Sequence, residues 1–228
     1  MNGEALGEPV VWRPVDAPVR RTHRGAHVVL RPVDAASDAE SLYAVSRDPA
    51  TWTYLPGGPY ANAAALGEAL AVAERSDDPL YFTLVVDGRP VGTASYLRIT
   101  PEFGVIEIGH IWFGAPLRRT TAATEAIFLL ARHVFEDLGY RRLEWKCDAL
   151  NAPSRRAAER FGFTFEGVFR QHQVVKGRNR DTAWYAIVDE DWPAVRAGFE
   201  RWLAPANFDA DGAQRATLGM LIAQSRGA

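Results

Sequence analysis

The 228-residue sequence predicts a mixed α/β fold in which helices cover both faces of one sheet. Two observations lead to this fold class. Apolar periodicity alternates between strand and helix along the chain, in the order β-α-α-β-β-β-α-β-α-β-β-α. A tight turn at Asp87-Gly88 places an antiparallel hairpin inside that alternation, whereas helical connections favour parallel neighbours. The sheet is therefore expected to contain both kinds of pairing.

An irregular arm is expected first, because three prolines between positions 9 and 18 interrupt any period. His27–Val33 is apolar and β-branched and predicts the first strand. Apolar residues at helical spacing predict helices over Asp34–Val45 and Asn62–Arg75. Tyr81–Val86 and Val91–Ile99 alternate on either side of the tight turn, which makes them the strands of the hairpin.

The rest of the chain predicts seven further elements. Val105–Phe113 is a third consecutive strand, and Thr121–Leu138 follows it with an apolar stripe and a terminal glycine. Arg142–Cys147 is a strand, and Pro153 suits the first turn of a short helix over Ser154–Phe161. A closing hairpin around residues 176–179 and an amphipathic tail helix are expected over Gln171–Val175, Asp181–Val188 and Trp192–Leu203.

Composition and charge exclude several classes of protein. With 47% apolar and 24% charged residues, the chain is typical of a folded globular protein. The 26 basic and 28 acidic residues leave a formal net charge of −2, so neither nucleic acid nor a membrane is expected as a partner. The single cysteine, Cys147, excludes an internal disulfide and a cysteine-rich zinc site, and no metal is expected.

The ends and apolar runs of the sequence favour a cytoplasmic location. The first twelve residues include acidic side chains and lack the apolar segment of a secretory signal. The longest apolar run, Ala126–Ala131, is much shorter than the roughly 20 residues that cross a bilayer. We therefore expect a cytoplasmic enzyme or binding domain.

Two strand-loop-helix junctions are candidate binding sites. At the first, Arg118, Arg119, Thr120 and Thr121 precede or open a helix, whose positive end attracts anions such as phosphate. The alternative is a surface loop with two solvated arginines. At the second, Asn151 and Ser154 start a helix directly after a strand, and the alternative there is simple helix capping.

Together these features resemble the N-acetyltransferases of the GNAT superfamily, and within it the Rim-type branch that acts on ribosomal proteins. The resemblance runs from about His27 to Asp189. It is carried by Glu107-Ile108-Gly109-His110, by Arg118 to Ala123 in the place of the acyl-CoA loop, by Thr124-Glu125-Ala126, by Asn151-x-x-Ser154 and by Phe161-Gly162-Phe163. It implies an acyltransferase domain over residues 27–189. The predicted N-terminal arm over residues 1–26 and the C-terminal helical tail over residues 190–228 lie outside the resemblance.

The resemblance implies a mostly antiparallel sheet that splays open at its centre, with acetyl-CoA as co-substrate. Pantetheine would lie along the open strand edge, since unpaired backbone groups there can bond its amides. The implied cofactor-binding residues are Ile111, Trp112, Phe113, Gly114, Arg118, Arg119, Thr120, Thr121, Ala122, Ala123, Asn151 and Ser154.

The loop departs from the family pattern at Arg119 and Thr121, where glycines are usual. A β-branched threonine strongly disfavours positive φ. Either the loop reaches the phosphate with ordinary φ values, or the two arginines hold the pyrophosphate through their side chains.

Glu107 is the candidate base that removes the amine proton, directly or through a water. The alternative is a structural ion pair with an arginine such as Arg98. His110 is a second candidate base, although a half-buried structural histidine is the commoner case. Ser154 is the candidate acid at the leaving thiolate, and a strand N–H around Trp112 to Phe113 is the candidate oxyanion donor.

The predicted function is transfer of an acetyl group from acetyl-CoA to a primary amine, on a protein N-terminus or a small molecule. The missing glycines motivate one alternative, a non-catalytic acyl-CoA-binding module. The other is a larger acyl donor such as succinyl-CoA, whose signature would be an extra cation in the cleft. A homodimer is also predicted, because aromatic residues on the arm and tail exceed the needs of one core: Trp12, Trp192, Phe199 and Trp202. The alternative is a monomer in which the arm and the tail pack on each other.

Overall fold

A computed structural model describes residues 6–227, which form one eight-stranded sheet with six α-helices. The strands lie in the order β1-β2-β3-β4-β5-β6-β8-β7. Their bounds are β1 His23–Arg24, β2 Val29–Pro32, β3 Leu80–Val86, β4 Arg89–Thr100, β5 Val105–Phe113, β6 Arg142–Asp148, β7 Thr164–Val175 and β8 Arg178–Val188. The helices are α1 Ala35–Val45, α2 Ala63–Arg75, α3 Thr121–Arg132, α4 Ala152–Arg160, α5 Trp192–Leu203 and α6 Leu218–Arg226.

The sheet is mixed and mostly antiparallel, which confirms the predicted fold class. Its parallel pair, β5 with β6, is joined only from Val105–Glu107 to Arg142–Glu144. Beyond Glu107 the two strands diverge, while β4 and β8 continue to pair with their outer edges. The centre of the sheet therefore splays open between residues 108–113 and residues 145–148.

Helices cover both faces of the sheet, as predicted. On one face Tyr96 and Ile106 are buried beneath α3, and the Tyr96 hydroxyl donates to the Leu130 carbonyl at 2.7 Å. On the other face a separate cluster joins α1 and α2 to the sheet through Leu42 and Trp112. The alternation of β5 assigns Ile106 to the α3 face and Glu107 to the face covered by α1 and α2.

The helix ends follow local sequence. Thr120 caps α3 by accepting from the N–H of Ala123 at 3.2 Å. A π-helical turn over His133–Asp137 extends α3 almost to the predicted end. Pro153 occupies the first turn of α4, as its fixed φ favours.

The closing hairpin differs from its prediction. β7 begins at Thr164, seven residues before the predicted start, and it is an exposed edge strand with little apolar alternation to reveal it. The turn consists of Lys176 and Gly177, with φ of 50° and 72°, so it is a two-residue turn rather than a four-residue loop.

The tail helix packs inside the chain, and this removes the reason given for a homodimer. Trp192, Phe199 and Trp202 are all buried, and Phe199 stacks on Phe128 at a centroid distance of 5.2 Å. On the arm, the Trp12 indole donates to the carbonyl of Glu102 at 2.8 Å. The homodimer stays a prediction without support from these aromatics. The division of the chain at residues 26 and 189 also stays a prediction. Residues 1–5 of the predicted arm and residue 228 of the predicted tail lie outside the described part.

None of the helices within residues 6–227 is long and apolar enough to cross a membrane. The same residues contain no group of three or more histidine, cysteine, aspartate or glutamate side chains arranged to hold a metal ion.

Candidate active site

A β-bulge in β5 shapes the open centre of the sheet. Gly109 pairs with Ser95 and Trp112 pairs with Thr93, so His110 and Ile111 together oppose one residue of β4. His110 takes a positive φ of 47°. A regular strand from Val105 to Phe113, as the sequence predicts it, would place Ile111 on the same face as Glu107 and Gly109. Because of the bulge, Trp112 rather than Ile111 joins them on the face of α1 and α2.

Glu107 stands where β5 and β6 part, and it is 3% exposed. Arg98 donates to its carboxylate at 2.6 Å, and the ammonium of Lys146 lies 3.2 Å from the same oxygen, Oε2. A Cβ added at Gly109 would lie only 3.1 Å from Oε1 of Glu107. The absence of a side chain at Gly109 therefore provides space for this carboxylate.

Burial raises the pKa of Glu107, while Lys146 and Arg98 oppose the shift. The structural alternative considered for Glu107, an ion pair with Arg98, is thus formed. Lys146 is a second cationic partner that the sequence reasoning missed. The alternation of β6 could have revealed it, because Lys146 lies two residues after Glu144 and therefore shares its face of the sheet.

A chain of ion pairs runs through this part of the sheet with alternating charge. Lys146 lies 2.5 Å from Glu144, Arg142 donates to Glu144 at 2.8 Å, and Arg142 also binds Glu166. Three cations thus alternate with three carboxylates in the order Arg98, Glu107, Lys146, Glu144, Arg142 and Glu166.

His110 faces a tyrosine on β3. Its Nδ1 lies 2.7 Å from the Tyr81 hydroxyl, and the two rings stack with an interplanar angle of 9°. Burial lowers the pKa of His110, and the positive charges of Arg98 and Arg180 lower it further. The neutral imidazole is therefore favoured at pH 7.

The loop before α3 accommodates both departures from the glycine pattern. Arg119 adopts the left-handed conformation, with φ of 63°, that a glycine would take at no cost. Thr121 is the first residue of α3 and has no need of a positive φ. Since Thr120 caps only the N–H of Ala123, the N–H groups of Thr121 and Ala122 remain directed at the loop, as in any first helical turn.

Arg118 is engaged by its own neighbours. Its Nε donates to the carbonyl of Phe113 at 2.9 Å, and Nη2 donates to the Thr51 hydroxyl at 2.6 Å. Arg119 is exposed and precedes the helix cap. Of the two predicted phosphate ligands, Arg119 is the one whose side chain makes no hydrogen bond or ion pair among residues 6–227.

Asn151 caps α4, accepting from the N–H of Ser154 at 3.1 Å, so the capping alternative is realised there. The Ser154 hydroxyl accepts from the Trp145 indole at 3.0 Å, so its own proton is not used in that bond, and the Cys147 thiol is a second neighbour of this hydroxyl. Both residues lie at the end of β6, across the open centre from β5. Burial raises the pKa of nearby Cys147, so this thiol is a small buried side chain without activation.

A loop bridges the outer side of the cleft. Lys176, at the tip of the β7–β8 hairpin, donates to the carbonyls of Trp52 and Gly57 at 2.7 and 3.1 Å. The hydroxyl of Tyr54, in the same loop, donates to the carbonyl of Leu150 at 3.2 Å. The segment between α1 and α2 therefore reaches both β8 and the end of β6.

Comparison with known proteins agrees with this geometry. Residues 27–164 match the model of the acetyltransferase (GNAT) domain, which is more than half of the chain. The chain belongs to the GNAT acetyltransferase family. The predicted GNAT superfamily membership and the enzyme class, an N-acetyltransferase, are thereby confirmed.

Several GNAT proteins are similar over most of the chain. A GCN5-related N-acetyltransferase from Brucella melitensis is 46% identical, with a TM-score of 0.91, covering 93% of this chain and 99% of that one. An acetyltransferase of the GNAT family from Chromobacterium violaceum is 38% identical, with a TM-score of 0.78, over 85% of this chain and all of that one. YdaF of Bacillus subtilis, whose name describes a ribosomal N-acetyltransferase, is 28% identical over 48% of this chain and 59% of its own length.

Proposed function

We propose that this GNAT protein transfers an acetyl group from acetyl-CoA to a primary amine, by direct attack within a ternary complex. The observation that carries the proposal is the short pairing of β5 with β6, which ends at Glu107. Residues 108–113 then present backbone groups to the open centre, immediately before the N-terminus of α3. An extended amide chain and an anionic phosphate are the chemistry that such an edge and helix end bind.

Acetyl-CoA fits this arrangement with its pantetheine along Ile111–Gly114 and its pyrophosphate at the first turn of α3. The N–H groups of Thr121 and Ala122 supply donors for phosphate, and Arg119 adds a free positive charge. A backbone N–H of Trp112 or Phe113 would stabilise the developing oxyanion.

Glu107 takes the amine proton in this proposal, through a water or directly. Its carboxylate is buried, it stands at the fork of the sheet, and burial raises its pKa toward the range of a useful base. Ser154 protonates the departing thiolate, since its hydroxyl accepts from Trp145 and keeps a proton to donate.

The test follows free thiol while the purified protein turns over acetyl-CoA with a panel of primary amines. In Glu107→Gln the base is lost, so kcat at pH 7 is expected to fall by roughly 10²–10⁴ with CoA binding retained, and to recover partly at high pH. Glu166→Gln is the matched control, because it removes a carboxylate from the far end of the same chain of ion pairs, where Glu166 on β7 binds Arg142. Thermal melting of both variants checks that they are folded.

Near-normal kcat in Glu107→Gln would assign the carboxylate to structure alone and leave a simple water relay, or His110, as the next candidate for proton removal. Thiol release with neither acetyl-CoA nor succinyl-CoA, across the whole panel, would favour the acyl-CoA-binding module instead.

A further inference from the structure

Arg180 is a cation near the chain of ion pairs that is not a member of that chain. It lies on β8, where strand alternation sets residues 180, 182 and 184 on one face. That face contains Lys146, whose ammonium lies 3.8 Å from the centre of the Trp184 ring. Arg98, Lys146 and Arg142 each bind a carboxylate, but within residues 6–227 no carboxylate lies within 4.0 Å of the Arg180 guanidinium.

Two buried donors on this face lack partners within the same residues. They are Nε of Arg180 and Nε1 of Trp184. Between them, the Thr182 hydroxyl lies 2.9 Å from Nδ1 of His172. A buried donor without an acceptor is unfavourable, and neither a guanidinium nor an indole can act as an acceptor. The complementary group is therefore an acceptor, and beside an unpaired guanidinium it is an anion.

The positive charge of Arg180 acts on histidines of two other strands, β5 and β7. After burial, Arg98 and Arg180 are the charges that lower the pKa of His110 on β5. The same two charges and that of Lys146 lower the pKa of His172 on β7, where burial is again the largest cause. Surplus positive charge here attracts an acidic group. It also disfavours a protonated amine, so the reactive neutral amine is the form that it tolerates best.

We propose that Arg180, with the indole N–H of Trp184 beside it, binds a carboxylate carried by the acceptor amine. The acceptors are then small amino carboxylates, such as amino acids, rather than simple amines. This assignment rests on the proposed acetyl transfer. The bridge that Lys176 makes to Trp52 and Gly57 suits a compact acceptor, because it closes the outer side of the cleft.

The kinetic test uses amine pairs that differ only in the carboxylate: phenylalanine with phenethylamine, and 4-aminobutyrate with propylamine. We expect kcat/KM to favour the amino carboxylate of each pair. Arg180→Gln should lower that value by roughly ten- to a hundredfold, the size of a hydrogen bond to a charged group, and change the value for the simple amine less than about threefold.

Two further variants separate charge at this site from charge in general. Arg180→Lys keeps the charge and should restore part of the preference. Arg24→Gln removes one exposed positive charge on β1, at the opposite edge of the sheet, and should leave the preference unchanged. An equal loss for both members of each pair in Arg180→Gln would overturn the proposal.

A parallel assay with succinyl-CoA as the donor tests whether the carboxylate that Arg180 binds belongs to the acceptor amine or to the acyl group. If phenethylamine is used better with succinyl-CoA than with acetyl-CoA, and Arg180→Gln abolishes that difference, the acceptor assignment is wrong and the carboxylate belongs to the acyl group.

A binding measurement keeps the site testable even if no amine is acetylated. Glutarate is titrated into the CoA-saturated protein while tryptophan fluorescence is followed, since Trp184 lines the site. Saturable binding that Arg180→Gln weakens at least tenfold supports the anion site independently of turnover. Equal glutarate binding by both proteins, or none by either, refutes it.

Discussion

A buried histidine in the first strand predicts how stability depends on pH. His23 is 7% exposed, and its ring centre lies 4.7 Å from that of His133, whose Nδ1 is 2.7 Å from an Asp137 oxygen. Burial, then the neighbouring His133 and Arg21, lowers the pKa of His23 from 6.5 to about 4. Protonation therefore favours the unfolded chain, in which the histidine has its ordinary pKa.

The magnitude follows from these two pKa values. Above about pH 6.5 both states are neutral at His23 and the group has no effect. As the pH falls below 6.5 the unfolded chain binds the proton first, and stability is lost down to about pH 4. Between pH 7.5 and 4.5 the loss amounts to about 2.5 kcal/mol from His23 alone.

The assay is urea unfolding, followed by tryptophan fluorescence at several pH values from 7.5 to 4.5. His23→Phe keeps an aromatic ring against Phe82 and cannot be protonated, so its free energy of unfolding should fall by about 2 kcal/mol less than that of the wild type. His27→Gln, four residues further on at an exposed position, should keep the wild-type pH dependence. Identical pH dependence in His23→Phe and wild type would refute the reasoning.

Two further substitutions test the residues that hold Glu107 and the segment before β2 in place. In Gly109→Ala the new methyl group would lie 2.8 Å from Cδ2 of Leu97 and 3.1 Å from Oε1 of Glu107, so both side chains must shift and kcat should fall by roughly tenfold. Gly219→Ala, with open space around it, should leave kcat unchanged. Normal kcat in Gly109→Ala would show that the carboxylate position is not critical. Glu125 accepts the backbone N–H groups of Ala26, His27 and Val28, so Glu125→Gln should lower the free energy of unfolding by about 1–3 kcal/mol in the same urea assay; a smaller change would mean that the turn is held by other contacts.

Most of the element order could be read from local patterns. The Asp87-Gly88 turn, the α3 stripe and the proline at the start of α4 each depend on residues within a few positions of one another. Edge strand β7 was mostly missed because exposed strands need no apolar alternation. The aromatic tail was assigned to a partner surface because sequence does not reveal that Phe199 stacks on Phe128.

The residues of the candidate site were likewise predicted only in part from the sequence. Sequence placed Glu107 on a strand, Asn151 at a helix start and the arginine pair before α3, since each follows from position within one element or junction. It also raised the Arg98 pair with Glu107 as an alternative, because a hairpin neighbour is a local inference. Lys146 and Arg180 could not be assigned to the site from sequence, because they reach the cleft from strands more than thirty residues away from Glu107 along the chain.

The sequence by itself determined the fold class, the family and the elements that border the cleft, because periodicity, turn chemistry and motif order are encoded in neighbouring residues. Only the tertiary structure decided which charges meet. The β5 bulge turned Trp112 rather than Ile111 toward the face covered by α1 and α2. The pairing of β5 with β6 brought Lys146 to Glu107, and within residues 6–227 Arg180 on β8 was left without a carboxylate. The physical reason is that burial and charge pairing arise from contacts between strands distant along the chain, and no local pattern records which of those side chains share a face.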